Sequence, residues 1–210
     1  MVRKKEEVGE LKSVLERVEG RLIAAGKMYG AMNFAVWLAV MAIFYTLYGI
    51  VELEGLPSFL YWMGAIAVVV PLTGKIWGRL KRLYSAVSPN EEGHEDKKAA
   101  FLIGLSWTVG SIVGWVIIPS IDWIGVNADA RLAVGFLSFI FISIFGMWLV
   151  MTHGRGEYEI VPSFILPLLA IPMAWQMSSG AIVWAGFVVT TGYSFTVLWY
   201  LYSAFKAIER

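Results

Sequence analysis

The side chains that could do chemistry in this chain are mostly neutral hydroxyls, and they gather in one place. Thr190, Thr191, Tyr193 and Ser194 surround Gly192, with Thr196 just beyond. Thr190 and Ser194 are four positions apart, so on a helix they share a face. Hydroxyls in that arrangement can line a path for an ion or a neutral solute. They can equally bond back to carbonyls three or four residues earlier and bind nothing. Upstream stand Pro162, Pro167 and Pro172. Pro162 can sit harmlessly in a first helical turn. Pro167 and Pro172 each remove a backbone donor and crowd the turn before them. The expectation there is a kink or an unwound turn, tolerated only inside protein or beside a wet cavity. It is either ordinary kinked packing or a hinge or break whose freed carbonyls coordinate a ligand. Thr190, Thr191, Tyr193, Ser194, Pro167 and Pro172 are therefore the candidate ligand or pore-lining residues.

The ionisable residues offer less. His94 and His153 are the only histidines, the latter near Arg155, Glu157 and Glu159. A surface enzyme site or metal site built from them is one reading, and ordinary loop content is the simpler one. Asp122, Asn127 and Asp129 could hold a hard cation loosely, but Asp129 fits better in the first turn of a helix, where its charge favours the dipole. There is no cysteine, which removes disulfides, thiolate metal sites and cysteine nucleophiles. No GxSxG elbow, HExxH zinc helix or GxxxxGK[ST] phosphate loop occurs. These absences weigh against an enzyme, and no catalytic residue, metal or cofactor is assigned.

The elements that must position these groups are membrane spans. The chain is 58% hydrophobic and only 16% charged, with a mean hydropathy of +0.67, and its charges fall in short clusters between long uncharged runs. Residues 28–51, 55–74, 99–121, 132–154 and 160–205 carry no formal charge. About 20 helical residues cross a bilayer core of ~30 Å. The last run would reach roughly 69 Å as one helix, and it contains Ser178-Ser179-Gly180, a turn signal whose serines can cap the next helix. Dividing it there predicts an all-α integral membrane protein: a six-helix transmembrane bundle with spans at about 28–51, 55–77, 99–121, 131–152, 160–177 and 180–206, preceded by an amphipathic cytoplasmic helix over 1–27. Residues 78–98 form a cytoplasmic loop that begins as a basic helical extension suited to anionic headgroups.

Charge placement agrees with six spans. Of 17 basic residues, all but Arg131 fall on one side if both termini are cytoplasmic, as basic residues prefer. The expected location is the cell membrane, multi-pass. No Asp, Glu, Lys, Arg or His lies in the middle of any span, which argues against proton pumps and proton-coupled antiporters. Trp37, Trp107, Trp115 and Trp184 lie deep in their spans, where they would pack between helices or face lipid. Scarce amides and Lys/Glu-rich loops fit a thermophile.

Two features could join the chain to itself or to others. Val8, Leu11, Leu15, Val18 and Leu22 form a two-heptad stripe with charged flanks. It could lie on the membrane face or the bundle, form a short coiled coil, or dock a soluble partner. Gly110, Ser111 and Gly114 form a GxxxG motif in span three, a packing seam within the chain or a homodimer face. Partners expected are membrane lipid and a second copy through either feature, with no nucleic acid. Two function classes follow. One is a transporter or channel-type protein for a neutral solute or ion, with spans five and six lining the path. The other is a non-catalytic membrane subunit or assembly factor acting through its cytoplasmic helix.

Overall fold

The computed structural model describes residues 2–51, 55–87, 95–122, 126–151 and 157–209. Regular structure among them is entirely helical: α1 (Val2–Val51), α2 (Leu56–Val87), α3 (Glu95–Ser111), a π-helical turn (Ile112–Ile117), α4 (Ile118–Ser120), α5 (Ala128–Met151), a 3-10 turn (Tyr158–Ile160), α6 (Val161–Gln176) and α7 (Ala181–Ile208). α3, the π turn and α4 form one continuous rod. Among the described residues six helices are long and apolar enough to cross a membrane, and the division between the last two falls at Met177–Gly180.

The helices alternate in direction. One end of the bundle carries the start of α6 and the end of α7, and the opposite, far end carries the starts of α2, α5 and α7. α1 runs unbroken through residue 27 and is 50 residues long, about 75 Å. The stretch around residue 27 contains no proline, and Gly20, Gly26 and Gly30 weaken a helix without ending it. From Gly20 onward α1 lies along α7: a Cβ on Gly20 would come 2.6 Å from the Ala207 carbonyl oxygen. Residues 9–19 project past that contact into the open, with Leu11 62%, Leu15 60% and Val18 45% exposed. Leu22 is half-buried. The Val8 side chain lies outside the described residues.

α1 and α7 form the most extensive pairing in the molecule. Small residues allow it. Tyr200 lies over Gly30, where a Cβ would sit 2.9 Å from the ring, and Tyr45 lies over Gly186. Ala24, Ala31, Ala181, Ala185 and Ala204 are buried on the two helices. α5 and α6 complete the core on one flank of this pair, with Leu137, Ile144, Ile160, Phe164 and Val189 buried among them.

α3 joins α5 through a seam of small residues. A Cβ on Gly110 would strike the Ser143 hydroxyl, one on Gly114 the Gly135 carbonyl, and one on Gly146 the Ser106 hydroxyl. Close backbone approach of this kind is what small residues permit. Ser106 donates to the Ile142 and Ser143 carbonyls at 3.2 and 3.1 Å. The π turn begins beside this seam and ends just before Pro119, which has no N–H to give the carbonyl four residues back. Ser120 donates to the Val116 carbonyl at 2.6 Å. Gly110 and Gly114 thus face α5 of the same chain.

The prolines of α6 do not unwind it. The helix runs continuously from Val161 to Gln176 through Pro167 and Pro172. Pro167 is fully buried while Pro172 is exposed, so the two prolines do not converge on one coordinating break. A five-residue spacing rotates successive positions by about 140° on a helix, which separates them.

The seam makes a prediction. Gly114→Leu should drive α3 from α5 and cost about 1–3 kcal/mol or more, read as a lowered thermal midpoint in detergent. Gly64→Ala, at an α2 position with nothing within 4 Å, should stay within about 0.5 kcal/mol of the native chain.

Candidate functional site

α2 makes its extensive contacts with α1, and α3 makes its own with α5. The space between these two pairs is left as a cavity of about 820 Å³. α1 contributes Trp37, Met41, Phe44, Tyr45 and Tyr48, and α2 contributes Ser58, Trp62 and Ile66. Across from them stand Trp107 and Ser111 of α3, Trp115 of the π turn, and Phe136 and Phe139 of α5. Tyr193 of α7 closes part of the floor, and Asp129 of α5 and Ile182 of α7 stand toward the far end.

Each wall is fixed by ring packing. Tyr61 donates its hydroxyl to the Val40 carbonyl at 2.6 Å and ties α2 to α1. Phe44 meets Trp62 at 4.9 Å between ring centres and Tyr61 at 5.2 Å. On the other side Trp115 sits 5.8 Å from both Phe136 and Phe139, and Trp107 lies 5.6 Å from Phe139. Tyr45 bridges to Phe136 at 6.3 Å. Aromatic pairs at these separations hold their partners' orientations as well as burying area. The wall is therefore a preformed aromatic surface, with tryptophan on both sides of the gap.

Asp129 is the one formally charged residue among the described residues lining this cavity. Its carboxylate accepts the backbone N–H of Ala181 at 2.7 Å and that of Ile182 at 3.3 Å. It sits in the first turn of α5, as the sequence led one to expect, and also caps α7 from across the bundle. The serines do not supply that cap. The N-cap position of α7 is Gly180, at φ +69°, with no side-chain hydrogen bond. A left-handed backbone there requires glycine, so the capping oxygen must come from elsewhere. Asn127 completes the arrangement. Its amide donates to the carbonyls of Met177 and Ser178 at 3.0 and 2.8 Å, and its oxygen accepts from Ala130 at 2.7 Å. Arg131 pairs with Asp122 and donates to the Ile121 carbonyl. These polar groups are thus engaged within the protein, and among the described residues no cluster of His, Cys, Asp or Glu could hold a metal.

Three hydroxyls of the cluster are spent on their own helix. Thr190 and Thr191 both donate to the Phe187 carbonyl at 2.9 and 2.8 Å, and Ser194 donates to the Thr190 carbonyl at 2.8 Å. Between α6 and α7 lies a groove of about 610 Å³ walled by apolar residues such as Pro162, Ile165, Phe195 and Leu198. Thr190, Thr191, Ser194, Pro167 and Pro172 line neither this groove nor the aromatic cavity. Of the six candidate residues, Tyr193 alone lines the aromatic cavity, and Ser111 of the GxxxG motif joins it there.

Sequence reasoning missed the cavity, although the deep tryptophans Trp37, Trp107 and Trp115 were its signal. It also missed a polar cluster at the opposite end of the bundle. The Lys27 ammonium lies 3.0 Å from Glu159 and 3.7 Å from Glu157, and 5.6 Å above the Tyr200 ring. Tyr200 donates to Glu157 at 2.8 Å. Trp148 donates to the Glu157 backbone carbonyl at 3.0 Å. The cluster ties α1, α5, α7 and the turn before α6 together. His94 and His153, the proposed surface pair, lie outside the described residues.

No protein-family model matches the chain, and no curated protein and no solved structure matches it.

The cap makes a prediction. Asp129→Ala should destabilise the protein by about 1–2 kcal/mol through loss of the α7 cap. Ser178→Ala and Ser179→Ala should each fall within about 0.5 kcal/mol of the native chain, compared by thermal unfolding in the same detergent.

Proposed function

We propose that the chain is a multi-pass membrane protein, with both termini cytoplasmic, that binds an amphipathic organic cation in the aromatic cavity as the binding step of transport. The carrying observation is the make-up of that cavity. Trp37, Trp62, Trp107 and Trp115 supply aromatic faces, and Asp129 supplies the one formal charge among the described lining residues. Aromatic faces attract cations through the ring quadrupole, most strongly when the site is desolvated. A basic group along the walls would repel such a ligand, and the described lining contains none. The volume of about 820 Å³ lies within the range of sites that enclose drug-sized molecules. The Ala181 and Ile182 amides offset part of the Asp129 charge, which favours a delocalised or alkylated cation over a small hydrated one. Basic residues cluster at the terminus-bearing end, so the cavity would open toward the outer leaflet.

A second reading rests on the projecting part of α1. The exposed stripe of Leu11, Leu15 and Val18 suits a non-catalytic subunit whose cytoplasmic helix docks to another chain. Removing residues 1–19 separates the two: cavity binding survives under the first reading, and self-association measured by sedimentation is lost under the second.

The main reading is tested with tetraphenylphosphonium and tetraphenylborate, which share a shape and differ in the sign of charge. Tryptophan emission of the purified protein should respond saturably to the phosphonium and at least about tenfold more weakly to the borate, the factor that ~1.4 kcal/mol of charge discrimination gives. Asp129→Asn should narrow the preference, and Ile66→Trp, which fills the cavity from α2, should abolish the saturable phase. Equal responses to both ions, unchanged in the two variants, would mean simple partition into the micelle.

A further inference from the structure

α1 and α2 also part at the opposite end of the bundle, where they enclose a second cavity of about 650 Å³. Its floor is apolar, formed by Tyr29 and Met32 of α1 with Pro71, Leu72 and Ile76 of α2. Its rim is not. Lys75, Arg79 and Arg82 all border it, and their spacing of four and then three places them along one face of α2. No carboxylate among the described residues lies within ion-pair distance of these three. All three are solvent-exposed.

Three unpaired cations on one rim would repel one another unless an anion lay between them. Guanidinium groups present paired N–H donors that match phosphate oxygens, and an ammonium adds a point charge. A free phosphate would satisfy the rim and leave the floor of Met32, Leu72 and Ile76 without a partner. A phospholipid satisfies both, with its phosphate at the cations and an acyl chain along the floor. Basic pockets between spans at the cytoplasmic face are suited to anionic headgroups.

We propose that this cavity is a binding site for an acidic phospholipid, with Lys75, Arg79 and Arg82 holding the headgroup and Tyr29, Met32 and Leu72 seating an acyl chain. The lipid then fills the space between two helices that are otherwise held mainly by the Tyr61–Val40 bond and the rings around Phe44. Because α2 also forms one wall of the aromatic cavity, occupancy steadies that wall. The site is independent of what the aromatic cavity binds.

The test uses the full chain in nanodiscs of phosphatidylcholine, with or without phosphatidylglycerol. Phosphatidylglycerol should raise the thermal midpoint and be retained on the protein in native mass spectrometry. The triple variant Lys75→Gln, Arg79→Gln, Arg82→Gln should weaken retention on the order of a hundredfold, from about fivefold for each basic residue near an anionic surface. The triple variant Lys12→Gln, Arg17→Gln, Arg21→Gln removes the same charge from the N-terminal part of α1, away from the cavity, and should leave retention unchanged. Equal loss in both triples would reduce the effect to net charge and overturn the site. Displacement of the lipid by millimolar inorganic phosphate would overturn the lipid assignment in favour of a free-anion site.

Discussion

A tyrosine ring lies over a glycine toward each end of the α1–α7 pair, Tyr45 over Gly186 and Tyr200 over Gly30. These contacts let the first and last helices approach closely, and every other element is arranged around that pair. α5 and α6 complete its core on one side. α2 is fastened to α1 by the Tyr61–Val40 bond and the rings around Phe44. α3 reaches the bundle by way of α5, through the seam of Gly110, Gly114, Gly135 and Gly146. Because α2 and α3 hold to different neighbours, a gap between them is a consequence of the packing, and large aromatic side chains line it.

The polar groups that fix this arrangement sit at the ends of the bundle. At one end Lys27 gathers Glu157, Glu159 and Tyr200. At the other, Asn127 and Asp129 hold the connection from α6 to α7. Between them the described helices offer hydroxyls that bond mainly to backbone carbonyls, the local partner a helix always provides. Asp129 belongs to both the scaffold and the proposed site. The carboxylate that would meet a bound cation is the one that seats the N-terminus of α7.

Much of the helical layout was legible from residue order alone. Charge-free runs and basic clusters marked six helices, and Ser178-Ser179-Gly180 marked the division of the last run, because span length and charge cost are local properties of the chain. The site was not legible in the same way. Thr190, Thr191 and Ser194 attracted attention as polar groups in an apolar segment, yet each finds its acceptor three or four residues back. Nothing in the order of residues shows whether a hydroxyl is already satisfied. The cavity depends instead on which helices pair, and Trp37, Trp107 and Trp115 come together only once α2 and α3 are known to separate. The Lys27–Glu159 contact joins residues 132 positions apart, and no local pattern announces it.

In the proposed function an amphipathic cation occupies the space between α2 and α3. Photolabelling places a ligand without relying on its affinity. A photoreactive quaternary ammonium amphiphile would be irradiated with the protein in nanodiscs and its adducts mapped by mass spectrometry. The expected result is labelling of the segments carrying Trp62, Trp107 and Trp115, competed by excess tetraphenylphosphonium. Adducts confined to outward-facing residues such as Phe187 and Leu198, without competition, would contradict it.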